Sequence, residues 1–229
     1  MTRSEISRVT RSKGQAIAVY DHLSRWYDWL SASSERPLTE LGLNRLNVSA
    51  GEIVLEIGFG TGHALLALAN AVGESGRVFG IDISRGMFKV ASERIARAKL
   101  IHRITLEQGD AAALPFETDS FDAIFISFTL ELFDTPEIAT VLSECRRVLK
   151  VDGRICVVAM ARDEHENLPQ RIYEWFHQCL PAYVDCRPIY VQSALMKAGF
   201  QIQGVTRKQM WGLPVEICMA QNPGEKNDE

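Results

Sequence analysis

No run in this chain approaches the roughly 20 consecutive apolar residues that a membrane-spanning helix requires. The sequence therefore predicts no integral membrane segment. No cluster of Lys and Arg exceeds two residues, and the net charge is −4. That leaves no electrostatic footprint for nucleic acid. The five cysteines (Cys145, Cys156, Cys179, Cys186 and Cys218) are scattered and odd in number, with no Cys-x-x-Cys pair. Disulfides are unsupported, and so is a zinc site. His177, Cys179 and Cys186 lie close together in sequence, but their spacing matches no metal site. There is no internal repeat and no linker. Residues 1–13 lack the apolar core of a secretion signal, so a cytoplasmic protein is expected. Arg3, Arg8, Arg11 and Lys13 would permit peripheral contact with a membrane surface, although a frayed tail is the better account of them.

What is present is ordinary for one globular domain. The chain has 229 residues, of which 46% are hydrophobic and 24% charged, enough to build a full core. Its organising stretch is Val54-Leu55-Glu56-Ile57-Gly58-Phe59-Gly60-Thr61-Gly62-His63. An apolar, β-branched run gives way to three alternate glycines. These lead into the helical pattern Ala64-Leu65-Leu66-Ala67-Leu68-Ala69. Strand, glycine loop and helix together let a ligand lie against bare backbone at a helix N-terminus.

The glycine spacing discriminates between ligands. A dinucleotide loop reads G-x-G-x-x-G, but His63 occupies the third glycine's place. The spacing found here, E-x-G-x-G-x-G with Glu56 at its head, resembles the loop of class I S-adenosylmethionine (SAM) methyltransferases. There an acid meets the methionyl ammonium through water while the glycines let backbone approach. A strand-to-helix turn without any ligand would also use glycines, so the loop is weighed with the rest of the chain.

Residues 14–46 read as two helices broken at Ser31–Pro37. Ala16, Val19, Tyr20, Leu23, Trp26, Tyr27 and Leu30 recur at helical spacing. Because this segment precedes the first strand, residues 1–48 are expected to act as a lid. Residues 49–221 are expected to form the cofactor-binding domain and 222–229 a disordered tail. The second strand, Arg77–Asp82, ends in an acid 20 residues after Gly62. An acid there suits both hydroxyls of a ribose; capping the helix from Ser84 is the alternative. The third strand runs from Ile104 to Asp110, where an acid could accept the adenine amine beside the small Ala111-Ala112-Ala113. The fourth, Phe121–Phe128, is apolar almost throughout and therefore central, with Ser127 at its end. A helix over Thr135–Lys150 carries Pro136 in its first turn. Asp152-Gly153 then turns into a fifth strand, Arg154–Met160. A helix over 163–180 and another at Ile189–Ala198 follow. Two last strands, Phe200–Met210 and Pro214–Ala220, form an antiparallel hairpin. The fold class predicted is α/β: a doubly wound, mostly parallel seven-stranded sheet ending in that hairpin. Its ligand belongs at the carboxyl ends of the strands.

Val54–Gly62, Phe79–Ser84, Gly109–Phe116, Ser120–Phe128 and Arg146–Lys150 together resemble the class I SAM methyltransferases, in particular the ubiquinone/menaquinone biosynthesis C-methyltransferase (UbiE) type. The likeness spans roughly residues 15–160. It implies a SAM cofactor, with S-adenosyl-L-homocysteine as product. The cofactor residues it implies, with those read above, are Glu56, Gly58, Gly60, Thr61, Gly62, Asp82, Asp110, Ala111 and Ser127. The chain departs from the quinone enzymes in the loop facing the acceptor, where Thr129-Leu130-Glu131-Leu132-Phe133 replaces Gly-Leu-Arg-Asn. A small lipophilic or aromatic acceptor is expected: a quinone precursor, a lipid head group or a similar metabolite. The absence of Asn-Pro-Pro-Tyr and Asp-Pro-Pro-Tyr argues against methylation of nucleic acid bases. Tyr20, Tyr27 or Phe59 could shield the sulfonium. His22, His63, Glu131 and His165 are candidate bases, none preferred. Two rivals are an NAD(P)-linked oxidoreductase, which lacks a Tyr-x-x-x-Lys pair here, and a non-catalytic SAM-binding regulator. The sequence carries no signal for oligomeric state.

Overall fold

The computed structural model describes residues 34–162 and 187–224. Its elements are α1 (Arg36–Leu46), β1 (Ile53–Ile57), α2 (His63–Val72), β2 (Arg77–Asp82), α3 (Arg85–Arg97), β3 (Ile104–Gln108), β4 (Phe121–Ser127), a 3-10 turn (Leu130–Leu132), α4 (Thr135–Val148), β5 (Leu149–Met160), α5 (Val191–Lys197), β6 (Gln201–Met210) and β7 (Leu213–Gln221). The strands form one seven-stranded sheet in the order β3-β2-β1-β4-β5-β7-β6. β1 to β5 pair in parallel, while β7 runs antiparallel to both β5 and β6. The predicted α/β class, its mixed sheet and its terminal hairpin are all present.

Strand alternation builds the two core layers. Val54, Val78, Ala123, Phe125, Cys156 and Val158 point to one face, which is shared with Leu38 and Leu46 of α1 and Leu65 and Leu68 of α2. Leu55, Ile57, Ile124, Ile126, Ile155 and Val157 point to the other face, among Val141, Leu142 and Leu195 from α4 and α5. The central strands are apolar on both faces because helices cover both. α4 starts with the capping box of Asp134 and Glu137 around Pro136, which satisfies backbone donors that a helix start leaves open.

α1 is fastened across the first of these faces. Its Gly42 lies so close to the sheet that an added Cβ would come 2.5 Å from Val158 Cγ2. At its C-terminus Arg154 Nε donates to Leu46 O (2.7 Å) and Nη2 to Asn47 O (2.9 Å). The same guanidinium forks onto the Glu52 carboxylate at 2.9 and 2.7 Å. Arg154→Ala strands the α1 carbonyls and the Glu52 charge together. It is expected to lower unfolding stability by about 1.5–3 kcal/mol, the usual worth of hydrogen bonds to charged groups. Arg154→Lys should recover little of that, since lysine has no planar fork. Urea denaturation measures both.

Two expectations need correction. The expected turn at Asp152-Gly153 is part of β5, which begins at Leu149 paired with Phe121. Pairing resumes at Ala123–Arg154, so residues 150–153 bulge out of register, with Asp152 at φ +62°. The tail expected to be disordered from Asn222 is anchored at its start. Asn222 is 4% exposed, and its Nδ2 donates to Leu149 O at 2.9 Å. It closes the mouth of that bulge, with Asn222 N–H on Gly153 O and Asp152 N–H on Asn222 O, both 2.9 Å. Residues 1–33, 163–186 and 225–229 fall outside the described residues. With them lie Tyr20, His22, Tyr27, His165, the helix expected over 163–180, the His177/Cys179/Cys186 grouping and most of the expected lid. Among the described residues no helix is long and apolar enough to cross a membrane.

Candidate active site

Side-chain alternation decides which polar groups meet. On β1, Glu56 faces the same side as Val54. On β2, Asp82 faces the side of Val78 and Gly80, and on β4 Ser127 faces the side of Phe125. Glu56 is in register with Gly80, two residues short of Asp82. The two carboxyls are thus diagonal neighbours on adjacent strands, at the carboxyl edge of the sheet.

The glycine loop closes over this edge. Gly58, Gly60 and Gly62 have φ of +70°, +51° and +83°, a region that L-residues with a Cβ seldom adopt. Each has a different neighbour. A Cβ at Gly58 would overlap the Thr129 side chain, and one at Gly62 would stand 3.0 Å from Ala91 Cβ on α3. A Cβ at Gly60 would meet nothing within 4 Å, so that backbone borders open space. Gly62 is also the N-cap of α2 and supplies no side-chain cap. Thr61 is buried, and its carbonyl accepts Arg94 Nη1 at 2.6 Å.

Asp82 organises the loop. Its Oδ2 accepts the Gly60 N–H and its Oδ1 the Ser84 N–H, each at 2.9 Å. The cap of α3 is Ser84, whose Oγ accepts Met87 N–H at 3.1 Å. The helix-capping alternative for Asp82 is therefore filled by another residue. Gly58 N–H donates to Ile81 O (2.8 Å) and Gly109 N–H to Asp82 O (3.0 Å), which stitches the exits of β1 and β3 to the end of β2. Asp110 follows at once. Its Oδ1 accepts Ala112 N–H at 3.0 Å, and Ala111 is buried beneath the turn. Ser127 Oγ shares a 2.8 Å hydrogen bond with Thr39 Oγ1 of α1, and Thr129 Oγ1 donates to Ser127 O at 2.9 Å. Glu56, Gly58, Gly60, Thr61, Gly62, Asp82, Asp110, Ala111 and Ser127 thus all lie at the carboxyl edge of β1–β4.

Two buried carboxyls stand out. Glu56 is 3% exposed and its Oε2 has no hydrogen-bond partner among the described residues. Burial, and then the neighbouring charge of Asp82, push its carboxyl well above the usual range. Glu131, in the 3-10 turn after β4, is fully buried. Its Oε1 accepts Met160 N–H from the end of β5 at 3.1 Å, while Oε2 has no partner among the described residues. Burial pushes it up to about 8; its own backbone N–H, the Met160 N–H and Arg187 oppose this, and Glu35 adds to it.

Phe59 is not placed to shield a ligand. It is 3% exposed, packed on Gly80 and on the Phe88 ring. Its place in the loop suggested a ligand contact, but the absent side chain at Gly80 draws it into the core. His63 is exposed at the start of α2. Thr39 and Arg94 carry no signal in the sequence; each reaches the site through a long-range contact that no local pattern records. No group of metal-ligating side chains occurs among the described residues.

This arrangement, a glycine loop and acids along the carboxyl edge of a sheet with an antiparallel seventh strand, defines a methyltransferase domain, and residues 54–153 match the methyltransferase domain family. The demethylmenaquinone methyltransferase of Anoxybacillus flavithermus (strain DSM 21510 / WK1) is 33% identical over 165 residues, 72% of this chain and 68% of that protein. The ubiquinone/menaquinone biosynthesis C-methyltransferase UbiE of Marinomonas sp. (strain MWYL1) is 30% identical over 181 residues, 79% and 70%. A SAM-dependent methyltransferase from Aquifex aeolicus superposes with a TM-score of 0.60 at 23% identity, covering 80% of this chain and 88% of that one. The [4+2]-cyclase SpnF superposes at 0.75 and 19% identity, covering 97% and 100%. The two structures share the fold; the sequence relatives carry the family. The chain belongs to the SAM-dependent methyltransferases, in the family of the demethylmenaquinone and UbiE enzymes.

Proposed function

We propose that this enzyme holds SAM along the carboxyl edge of β1–β4 and methylates a small lipophilic or aromatic acceptor, foremost a quinone precursor. The observation that carries the cofactor reading is the pairing of a partnerless buried carboxyl oxygen on Glu56 with the open backbone of Gly60. A cationic ammonium, directly or through water, supplies what Glu56 lacks. The adjoining Gly60 backbone, which borders open space, suits the rest of an amino-acid group. Asp82, at the end of β2 beside the glycine loop, would accept both ribose hydroxyls. Asp110 would accept the adenine amine, with Ala111 leaving room for the flat ring. Thr61 and Ser127 would line the remaining length. When bound, SAM supplies an electrophilic methyl on sulfur. The chain's own work is then alignment of the acceptor and exclusion of water.

Relatives named demethylmenaquinone methyltransferase support a quinone precursor as acceptor. We assign residues 49–221 to the SAM-binding domain and residues 1–48 to the cover of the acceptor side. The Thr39–Ser127 bond supports that cover, since it places α1 against the end of β4. The test is calorimetric titration of the full chain with SAM, S-adenosylhomocysteine and NAD. Saturable micromolar binding of the first two without NAD is expected. Binding of NAD alone overturns the reading.

A further inference from the structure

Glu131 is a fully buried carboxyl that the cofactor site does not use. It lies four residues past Ser127 and two past Thr129, whose side chain packs on Gly58 of the cofactor loop. Its Oε1 is fixed by the Met160 N–H at 3.1 Å, so the side chain bridges the carboxyl ends of β4 and β5. Beside it Ala161 pairs with Ile189, and Arg187 is 1% exposed. Arg187 is itself tied to Thr135 Oγ1 (3.0 Å) and to Phe133 O. Just before α1, the charge of its N-cap residue Glu35 acts on the same carboxyl. Oε2 is the one oxygen of Glu131 with no hydrogen-bond partner among the described residues. A buried polar atom is costly to leave unpaired, and such an atom in the loop beyond β4 marks a place for a ligand group.

We infer that Glu131 Oε2 is the general base of the reaction, accepting the hydroxyl proton of a phenolic or hydroquinone acceptor. This rests on the acceptor class of the preceding subsection and narrows it to molecules bearing an ionisable hydroxyl. The acceptor's O–H bond breaks, its proton passing to Oε2 and its electron pair staying on oxygen. The phenolate pushes density to the ring carbon beside it, which takes the methyl, and the sulfur keeps the pair of the broken S–CH3 bond. Loss of the ring proton to water restores aromaticity, and the phenolate oxygen recovers its proton from Glu131.

The position also suits a base in its titration. Burial holds the free carboxyl up to about 8, the Glu35 charge pushes the same way, and Arg187 with the two backbone N–H groups pulls it down. The basic form therefore fills as pH rises toward that value, within reach of a physiological catalyst.

Glu131→Gln is close in shape to the neutral carboxyl and keeps an oxygen for Met160 N–H, so the fold should survive, as a thermal melt will verify. With reduced 2-prenyl-1,4-naphthoquinone as acceptor, Glu131→Gln should lower kcat by about 100- to 10,000-fold, the usual worth of a general base. The SAM dissociation constant should stay within twofold. Wild-type kcat should climb with pH, be half-maximal near 8 and level off above it, and the variant's residual rate should be flat. Glu131→Asp should recover part of the rate. A variant with kcat within threefold of wild type, or with the wild-type pH profile, overturns the inference while leaving the acceptor reading intact. Absence of turnover by the wild type would instead sink the hydroquinone reading. In that case infrared spectroscopy of the S-adenosylhomocysteine complex decides about Glu131. The protonated-carboxyl band missing from Glu131→Gln should shift when 1-naphthol is added; a band that stays put overturns the inference.

Discussion

Asp82→Ala is expected to weaken SAM binding by about 10- to 150-fold, because lost hydrogen bonds to a charged group cost about 1.5–3 kcal/mol. The carboxylate serves two parties. It holds the Gly60 N–H at 2.9 Å, shaping the loop, and we assign the ribose hydroxyls to it. Removing it loosens the loop and strips the hydroxyls of their acceptor at once. The start of α3 should survive, since Ser84 Oγ still receives the Met87 N–H at 3.1 Å, so a thermal melt should shift little compared with the loss in binding. Asp82→Asn separates charge from shape: it keeps one acceptor oxygen and loses the negative charge, so an intermediate loss is expected. Calorimetric titration of the three proteins with SAM measures all of this. An alanine variant within twofold of wild type would remove Asp82 from the ribose assignment.

Asp82 also shows how much a sequence of this kind discloses. β2 is found with its predicted ends, Arg77 and Asp82. β1, β3 and β4 depart from expectation by a residue or two at a boundary. Short β-branched runs that end in an acid and a glycine are local signals, and local signals survive folding when helices cover both faces of the sheet. The site residues were legible for the same reason, since parallel strands bring their carboxyl ends to one edge wherever they lie in sequence. Contacts that depend on pairing across the chain were not legible. The Thr39–Ser127 bond spans 88 positions and the Arg154–Leu46 bond spans 108. Neither leaves a periodicity to read. Asp152-Gly153 reads locally as a turn, yet Leu149 pairs with Phe121 and Asn222 fills the bulge, so tertiary pairing overrides turn chemistry. Glu131 was visible as an acid in the acceptor loop; that it is buried on Met160 depends on where β5 ends.

The second large effect is a pH dependence of stability that belongs to Glu56. In the unfolded chain this carboxyl ionises near its ordinary value of 4.5, whereas in the fold burial and the charge of Asp82 hold it neutral well above that. Between those two pH values the folded state keeps a proton that the unfolded state has released. Stability therefore falls as pH rises, with a slope approaching about 1.4 kcal/mol per pH unit for one proton. Glu56→Gln is neutral in both states and contributes no slope. The other titrating groups are common to both proteins and cancel in the difference. Urea denaturation at pH 5, 6, 7 and 8 should accordingly find the glutamine variant gaining on the wild type as pH rises, until the pH passes the folded-state value of Glu56. A difference that does not change with pH would mean that Glu56 is ionised in the fold. Binding should carry the opposite preference. A SAM ammonium beside Glu56 stabilises the carboxylate, so wild-type binding should strengthen with pH, release a proton, and give a calorimetric heat that changes with the ionisation enthalpy of the buffer. Glu56→Gln should bind more weakly and without that buffer dependence. The free enzyme thus bears the cost of an unpartnered carboxyl that only its cofactor would relieve, which is the balance expected where a fold gives up stability to hold a ligand.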